Sequence, residues 1–361
     1  MKKCLVAVAL TLGILPLLFC AVVFFVSEDE VGVPHDALPP NTIVVDDPSF
    51  QARSIAAMLK LFADVLYTVV DMDEMQPQDF RKGANPKSLN PIFHPDLSMR
   101  ESTVAGRRAV RFVPDFPRED ALLFYVHGGG YVSGEPQTEL NVVAGLASRL
   151  SMLTIAPTYR LAPENPFPAG INDVVAAYKE VAARYPDRRI ALAAASAGGG
   201  LATGLVQRLF NQGHNLPDVM FLHAPHVDLT FSSASTAERE HRDALRPLQA
   251  PLIANAYAGK ADPWDWQVSP LYGKFEGFPP VLILVGTEEV LFDDSLTMQA
   301  KLQAAGVDSR LEIWRGLFHV WTNIDPDDLP EAGKGLERAA DFINHYLQPH
   351  AKPDMAGLLR D

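Results

Sequence analysis

A series of short apolar runs, each followed by a longer segment of helical pattern, limits the architecture of this chain more than any other feature. The runs are Ala109–Val113, Ala121–Val126, Met152–Ala156, Ile190–Ala195, Val219–Ala224, Val281–Val285 and Arg310–Trp314. Several are apolar at every position, as strands of a sheet covered on both faces must be. Helical patterns fall between and after them, near Gln137–Leu150, Ala169–Arg184, Gly198–Asn211, Asp293–Ala305 and Ala332–Leu347. Alternation of this kind predicts an α/β fold with a mostly parallel, doubly wound central sheet flanked by helices. No internal repeat is visible. Residues Ser232–Asp265 break the alternation with charged and helical sequence, which is expected to lie over one end of the sheet.

Upstream of residue 109 the pattern changes. Lys2 and Lys3 precede an unbroken apolar stretch from Cys4 to Val26, closed by Ser27-Glu28-Asp29-Glu30. As a helix that stretch is long enough to cross a hydrocarbon core of about 30 Å. Basic residues before it and acidic residues after it predict a membrane anchor over residues 1–30, with the body outside the cytoplasm. The alternative is export after signal cleavage, but a signal's apolar region is shorter and ends at a small-x-small site, which is not found near Val26. Residues 31–108 read as a linker, rich in Pro and Asp over Val31–Asp47, followed by a helical cap. In that cap Ile55, Met58, Leu59, Phe62, Leu66 and Val69 recur at helical spacing. Residues 109–350 form the expected catalytic domain.

Charge and cysteine content exclude two classes of function. The 44 acidic residues outnumber the 31 basic ones, giving a formal charge of −13, and no Lys/Arg stripe is present. A nucleic-acid partner is therefore not expected, because such binding rests on phosphate neutralisation. The two cysteines, Cys4 and Cys20, both lie in the apolar N-terminal run, which leaves the body without a disulfide framework or a cysteine metal site.

The chemistry is carried by turns that follow strands. Ala194-Ala195-Ser196-Ala197-Gly198-Gly199-Gly200 ends an apolar run and opens a helical pattern. A serine at such a strand-to-helix turn needs small neighbours, because the backbone is strained and closely packed. Ala194 and Gly198 supply them, although the usual signature has Gly at both places. His127-Gly128-Gly129-Gly130-Tyr131 follows another strand, and consecutive glycines let backbone N–H groups converge on an oxyanion. The N–H of Ala197 is a further donor. A phosphate loop would need a Gly-Lys-Ser/Thr ending, and none follows. His127 precedes the serine, whereas an elbow enzyme runs serine, acid, histidine.

The last two strands supply the remaining groups. Gly286-Thr287-Glu288-Glu289-Val290 follows one and Arg315-Gly316-Leu317-Phe318-His319 follows the other. His319 is the best placed of the ten histidines to take the serine proton, while Glu288, Glu289, Asp293 and Asp294 all compete by position for the acid role. His345 lies within a helical pattern. His223 and His226 flank Pro225, but no third ligand follows at a spacing that would make a metal site.

Together these residues resemble the bacterial hormone-sensitive-lipase-like esterases of the α/β-hydrolase superfamily. The resemblance runs from about Ala109 to Leu347. It covers His127–Gly130, Tyr159-Arg160-Leu161-Ala162-Pro163-Glu164, Pro166-Phe167-Pro168-Ala169, Ser196–Gly199, Asp228-Leu229-Thr230, Ser269-Pro270-Leu271, Pro279-Pro280 and Gly286–Leu291. It implies an α/β-hydrolase fold with an N-terminal helical cap. It also implies Ser196 as nucleophile, His319 as base, and Glu289 as acid, where many relatives carry Asp. Gly128, Gly129, Gly130 and Ala197 are the expected oxyanion donors. The family usually has Gly-Asp where Ala194-Ala195 stand. The expected activity is hydrolysis of small or short-acyl carboxylic esters without metal or organic cofactor. Lactone hydrolysis or acetyl-ester deacetylation by the same triad is the alternative, and a non-catalytic membrane-tethered binding module is the reading outside enzymes.

Overall fold

The computed structural model describes residues 38–69, 76–79, 81, 94–240, 242–243 and 249–348. The segment 1–30 read as an anchor lies outside these residues. Among the described residues, no helix is long and apolar enough to cross a membrane.

One sheet takes all the described strands. In chain order they are β1 (Thr42–Val45), β2 (Leu97–Val104), β3 (Arg107–Pro114), β4 (Arg118–Val126), β5 (Met152–Pro157), β6 (Arg189–Ala195), β7 (Val219–His223), β8 (Val281–Gly286) and β9 (Ser309–Trp314). Their spatial order is β1-β9-β8-β7-β6-β4-β5-β3-β2. Only β3 runs against its neighbours; every other pairing is parallel. The helices are α1 (Phe50–Val69), α2 (Leu140–Leu150), α3 (Ala169–Arg184), α4 (Ala197–Asn211), α5 (Ala234–Glu238), α6 (Gln249–Ala258), α7 (Phe292–Ala304) and α8 (Pro330–Leu347).

The sheet has a core on each face. Leu122, Phe124 and Val126 of β4 join one cluster with side chains of α3, α4 and α7, such as Val174, Leu205 and Met298. Ala121, Leu123 and Tyr125 of the same strand join the other, with Val142 and Leu146 of α2 and Leu336 and Ile343 of α8. The period-2 alternation of a strand thus feeds both cores, which is why β4 reads as a continuous apolar run.

Two strands were not expected. Thr42–Val45, inside the stretch read as a linker, pairs in parallel with β9, from Thr42 beside Leu311 to Val45 beside Trp314. Leu97–Val104 pairs antiparallel with β3. Both lie at sheet edges, so the sheet draws strands from either side of the expected boundary at residue 109. The early helix is present and longer than its apolar stripe: Ser49 caps it through its hydroxyl, which accepts the N–H of Ala52. Its first turns do not stand apart from the body. Ala52 belongs to the α2–α8 core, with Ile55, Ala56 and Leu59 packed against it, and Ser49 is held by the Glu331 carboxylate of α8 at 2.7 and 2.9 Å.

Because β4, β6, β7, β8 and β9 are parallel, the turns leaving their C-terminal ends share one rim. Open α/β sheets hold their sites on that rim.

Candidate active site

Ser196 sits between β6 and α4 with φ 53° and ψ −126°, a conformation that L-residues adopt only when their surroundings force it. Three backbone bonds hold it there. Its N–H donates to the His223 carbonyl at 2.9 Å, and its carbonyl accepts from Gly199 at 2.8 Å and His226 at 2.9 Å. The helix packs so tightly beneath β4 that a Cβ on Gly198 would lie 2.2 Å from the Val126 carbonyl oxygen. Ala194, by contrast, is fully accommodated within β6, so the departure from Gly at that position leaves the turn intact.

His319 lies on the turn after β9. Its Nε2 is 2.9 Å from Ser196 Oγ and its Nδ1 is 2.7 Å from Glu289 Oε2. With Nδ1–H donating to the carboxylate, Nε2 is left to accept the serine proton. Glu289 is buried, and its other oxygen accepts the Gly286 N–H at 2.7 Å. Burial disfavours the imidazolium, but the hydrogen bond and charge of Glu289, with the charges of Asp243 and Glu139, outweigh it and raise the His319 pKa above its ordinary value. The acid and histidine turns are also tied directly. Glu288 N–H donates to the Leu317 carbonyl at 3.0 Å, and Gly316 N–H donates to Thr287 Oγ1 at 2.8 Å.

The other acids that position alone left open have different partners. Glu288 pairs with Arg242 at 3.1 Å, Asp293 accepts the Ser235 N–H at 2.8 Å, and Asp294 accepts the N–H groups of Val227 and Asp228. Among the histidines, His127 stacks on Tyr159 and donates from Nδ1 to the Gly128 carbonyl, His223 meets Thr322 Oγ1, and His345 is exposed on α8. Among the described residues, no group of three or more His, Cys, Asp or Glu side chains could hold a metal ion.

The glycine turn brings Gly129, Gly130 and Tyr131 into successive positive-φ conformations, at 109°, 61° and 64°. Gly129 has no room for a side chain, since a Cβ there would lie 2.2 Å from the Ser133 carbonyl oxygen. The N–H groups of Gly129, Gly130 and Ala197 have no acceptor among the described residues, and remain available to an oxyanion. Gly128 departs from the expected donor set. Its N–H donates at 3.0 Å to Glu139 Oε1, a buried carboxyl group, so it is already occupied. Sequence reasoning passed over Glu139 because it lies at the start of a helical pattern and carries no motif.

Segment Ser232–Asp265 also contributes more than a cover. Arg239 donates to the Thr287 carbonyl and Asp243 accepts the Val290 N–H at 2.8 Å, one on each side of Glu289. Further along, Ile253 of α6 lies against Gly130 and Tyr257 stacks on Tyr131 at 4.0 Å. The 3-10 turn Pro77–Asp79 lies against α6, and Arg81 just beyond it reaches the Val132 carbonyl at 2.7 Å and pairs with Glu164.

A serine at a strained strand-to-helix turn, an imidazole on its hydroxyl, a carboxylate behind the imidazole and free N–H groups beside it define a serine hydrolase of α/β architecture. The model of the alpha/beta hydrolase fold family matches residues 123–323. The chain is 35% identical to an acetyl-hydrolase of Streptomyces hygroscopicus, covering 66% of this chain and 80% of that protein. It is 30% identical to an esterase of Acinetobacter venetianus, covering 71% and 88% respectively. A solved hormone-sensitive lipase from a metagenome library superposes with a TM-score of 0.76 at 31% identity, over 82% of this chain and 99% of that one. This chain belongs to the α/β-hydrolase fold family, within its bacterial hormone-sensitive-lipase-like esterases.

Proposed function

We propose that the chain hydrolyses short-acyl carboxylic esters through an acyl-enzyme on Ser196. The observation that carries this reading is the unbroken relay from Ser196 Oγ through His319 to Glu289, at 2.9 and 2.7 Å. His319 takes the hydroxyl proton as Oγ attacks the ester carbonyl, and Glu289 stabilises the imidazolium that forms. The carbonyl oxygen becomes an oxyanion and is met by the N–H groups of Gly129, Gly130 and Ala197. Collapse expels the alcohol, which takes its proton from His319. Water, deprotonated by the same imidazole, then releases the acid.

An acetyl group is the favoured acyl unit, because the Streptomyces relative is named as an acetyl-hydrolase. The segments carrying Arg81 and Ile253 lie against each other, reach Val132 and Gly130 respectively, and are read as a cap over the acyl site. The N-terminal apolar run is read as a membrane tether that holds the enzyme outside the cytoplasm, a reading carried by the sequence alone. Extraction of membranes with alkaline carbonate tests it: the full chain stays in the pellet, and a chain beginning at Ser27 is released.

The catalytic reading is tested with p-nitrophenyl acetate and a fluorophosphonate probe. Ser196→Ala lowers turnover on the order of a million-fold and abolishes labelling. A folded Ser196→Ala protein that still turns over the ester at the native rate rejects the assignment.

A further inference from the structure

A buried carboxyl group that the reaction does not consume lies directly behind the glycine turn. Glu139 stands at the junction of the 3-10 turn Pro136–Glu139 and helix α2. One of its oxygens accepts the Gly128 N–H at 3.0 Å and the other accepts the Tyr125 hydroxyl of β4 at 2.6 Å. The group is also close to the nucleophile. Glu139 Oε1 and Ser196 Cβ lie 2.6 and 3.0 Å from the single point that a Cβ on Gly128 would occupy.

The residues flanking Glu139 tie it to the 3-10 turn Trp321–Asn323 that follows the histidine turn. Asn323, four residues beyond His319, donates from its side chain to the Thr138 carbonyl at 2.9 Å, and Asn141 donates from its side chain to the Asn323 carbonyl at 3.0 Å. One short segment therefore touches the glycine turn through Glu139 and, through Thr138 and Asn141, the 3-10 turn Trp321–Asn323 that follows His319.

We propose that Glu139 is a positioning residue: by holding the Gly128 N–H it fixes the turn so that the N–H groups of Gly129 and Gly130 are left to the oxyanion. This deepens the serine-hydrolase reading above and rests on it. The Gly128 N–H is held without using a donor the oxyanion needs, and it adds to the Tyr159 hydroxyl on the His127 carbonyl and the Ser133 hydroxyl on the Gly129 carbonyl. A shift of about 1 Å in such donors costs on the order of a hundredfold in rate. The same carboxylate has a second effect, because its charge is one of those that favour the imidazolium of His319. The ionisable groups around Glu139 are Tyr125, Tyr159 and His319. Burial pushes its own pKa up to about 7, against the hydrogen bonds from Tyr125 and Gly128 and the charge of His319.

The test uses the full chain with p-nitrophenyl acetate as substrate and phenylboronic acid as a tetrahedral analogue bound through Ser196. Glu139→Ala is expected to lower kcat roughly 10- to 100-fold with little change in KM, and to weaken the boronic acid in proportion. Glu139→Gln keeps an acceptor for Gly128 and recovers most of kcat. It also removes the charge, so the acid limb of its kcat/KM profile moves to lower pH. A native kcat in folded Glu139→Ala overturns the proposal, as does a loss of kcat that leaves boronic acid affinity untouched. If Glu139→Ala does not fold, Glu139→Asp decides: its shorter side chain no longer reaches the Gly128 N–H, and a native kcat with native boronic acid affinity overturns the proposal. Neither result bears on the nucleophile, which Ser196→Ala tests separately.

Discussion

Glu289 is the residue whose role depends most on distance rather than on type. Four carboxylates lie within a few positions of one another after β8, and nothing in their order along the chain separates them. They are separated by partners: only Glu289 reaches His319, while Glu288 faces Arg242 and Asp294 turns back to the Val227–Asp228 backbone. Ser196 and His319 were legible because each closes a turn with a motif around it, whereas selection among neighbouring acids needs three-dimensional contacts. The pKa of His319 is raised, so the neutral form that accepts the serine proton prevails only above the ordinary histidine range. The acid limb of the kcat/KM profile is accordingly expected at a pH above 6.5. Glu289→Gln removes the charge and offers the ring an amide in its place. It is expected to lower kcat by on the order of 10⁴-fold and to move the surviving acid limb downward. A variant with native kcat and an unshifted limb would show that another acid serves His319.

At the scale of elements, the segment from α5 to Asp243 acts as a clamp on the acid turn. Ser235 donates its hydroxyl to the Val290 carbonyl at 2.7 Å, Arg242 pairs with Glu288, and Asp243 accepts the Val290 N–H. Arg239 is central to it, donating to the Thr287 carbonyl while its guanidinium lies 3.6 Å over the Phe292 ring. Arg239→Ala removes a charge-assisted hydrogen bond and a desolvated cation–π contact. It is expected to cost about 2–4 kcal/mol of stability, read from urea unfolding, with a fall in kcat as the acid turn loosens. A change under about 0.5 kcal/mol, the size of an ordinary surface substitution, would mean the clamp is redundant. The sequence marked this region only as an interruption of the βα alternation, because its contacts are polar and local charges carry no period. The two unexpected strands were hidden for a related reason. β1 is four residues long between Pro39-Pro40 and Pro48, too short an apolar run to stand out, and β2 is an edge strand largely open to solvent with no apolar run at all. The central strands, buried on both faces, could be read within a few residues of their ends.

Across the whole molecule, the rim that carries the site also carries three buried neutral histidines. Burial lowers the pKa of His127 and His226 to about 4, and holds His223 well below its ordinary value. Asp228 works against the shift at His226, while the charge of His319 adds to it at both His223 and His226. In the unfolded chain each histidine binds its proton near 6.5, so the unfolded state gains protons before the folded state does. Their stability contribution is complete above pH 6.5 and is lost as the pH falls toward 4. For His127 or His226 a shift of this size corresponds to about 3 kcal/mol. Glu139 acts with the opposite sign, since its raised pKa favours the folded state below about 4.5 and that contribution is lost as the pH rises through about 7. The balance predicts that urea stability falls as the pH drops from 6.5 to 4, and that His226→Gln flattens this fall by removing one titrating ring. His226 is the informative position because its backbone N–H, which holds the Ser196 carbonyl, survives the substitution. Equal acid sensitivity in His226→Gln and the native protein would remove this histidine from the account and leave His127, His223 and the carboxylates as the source of any acid instability.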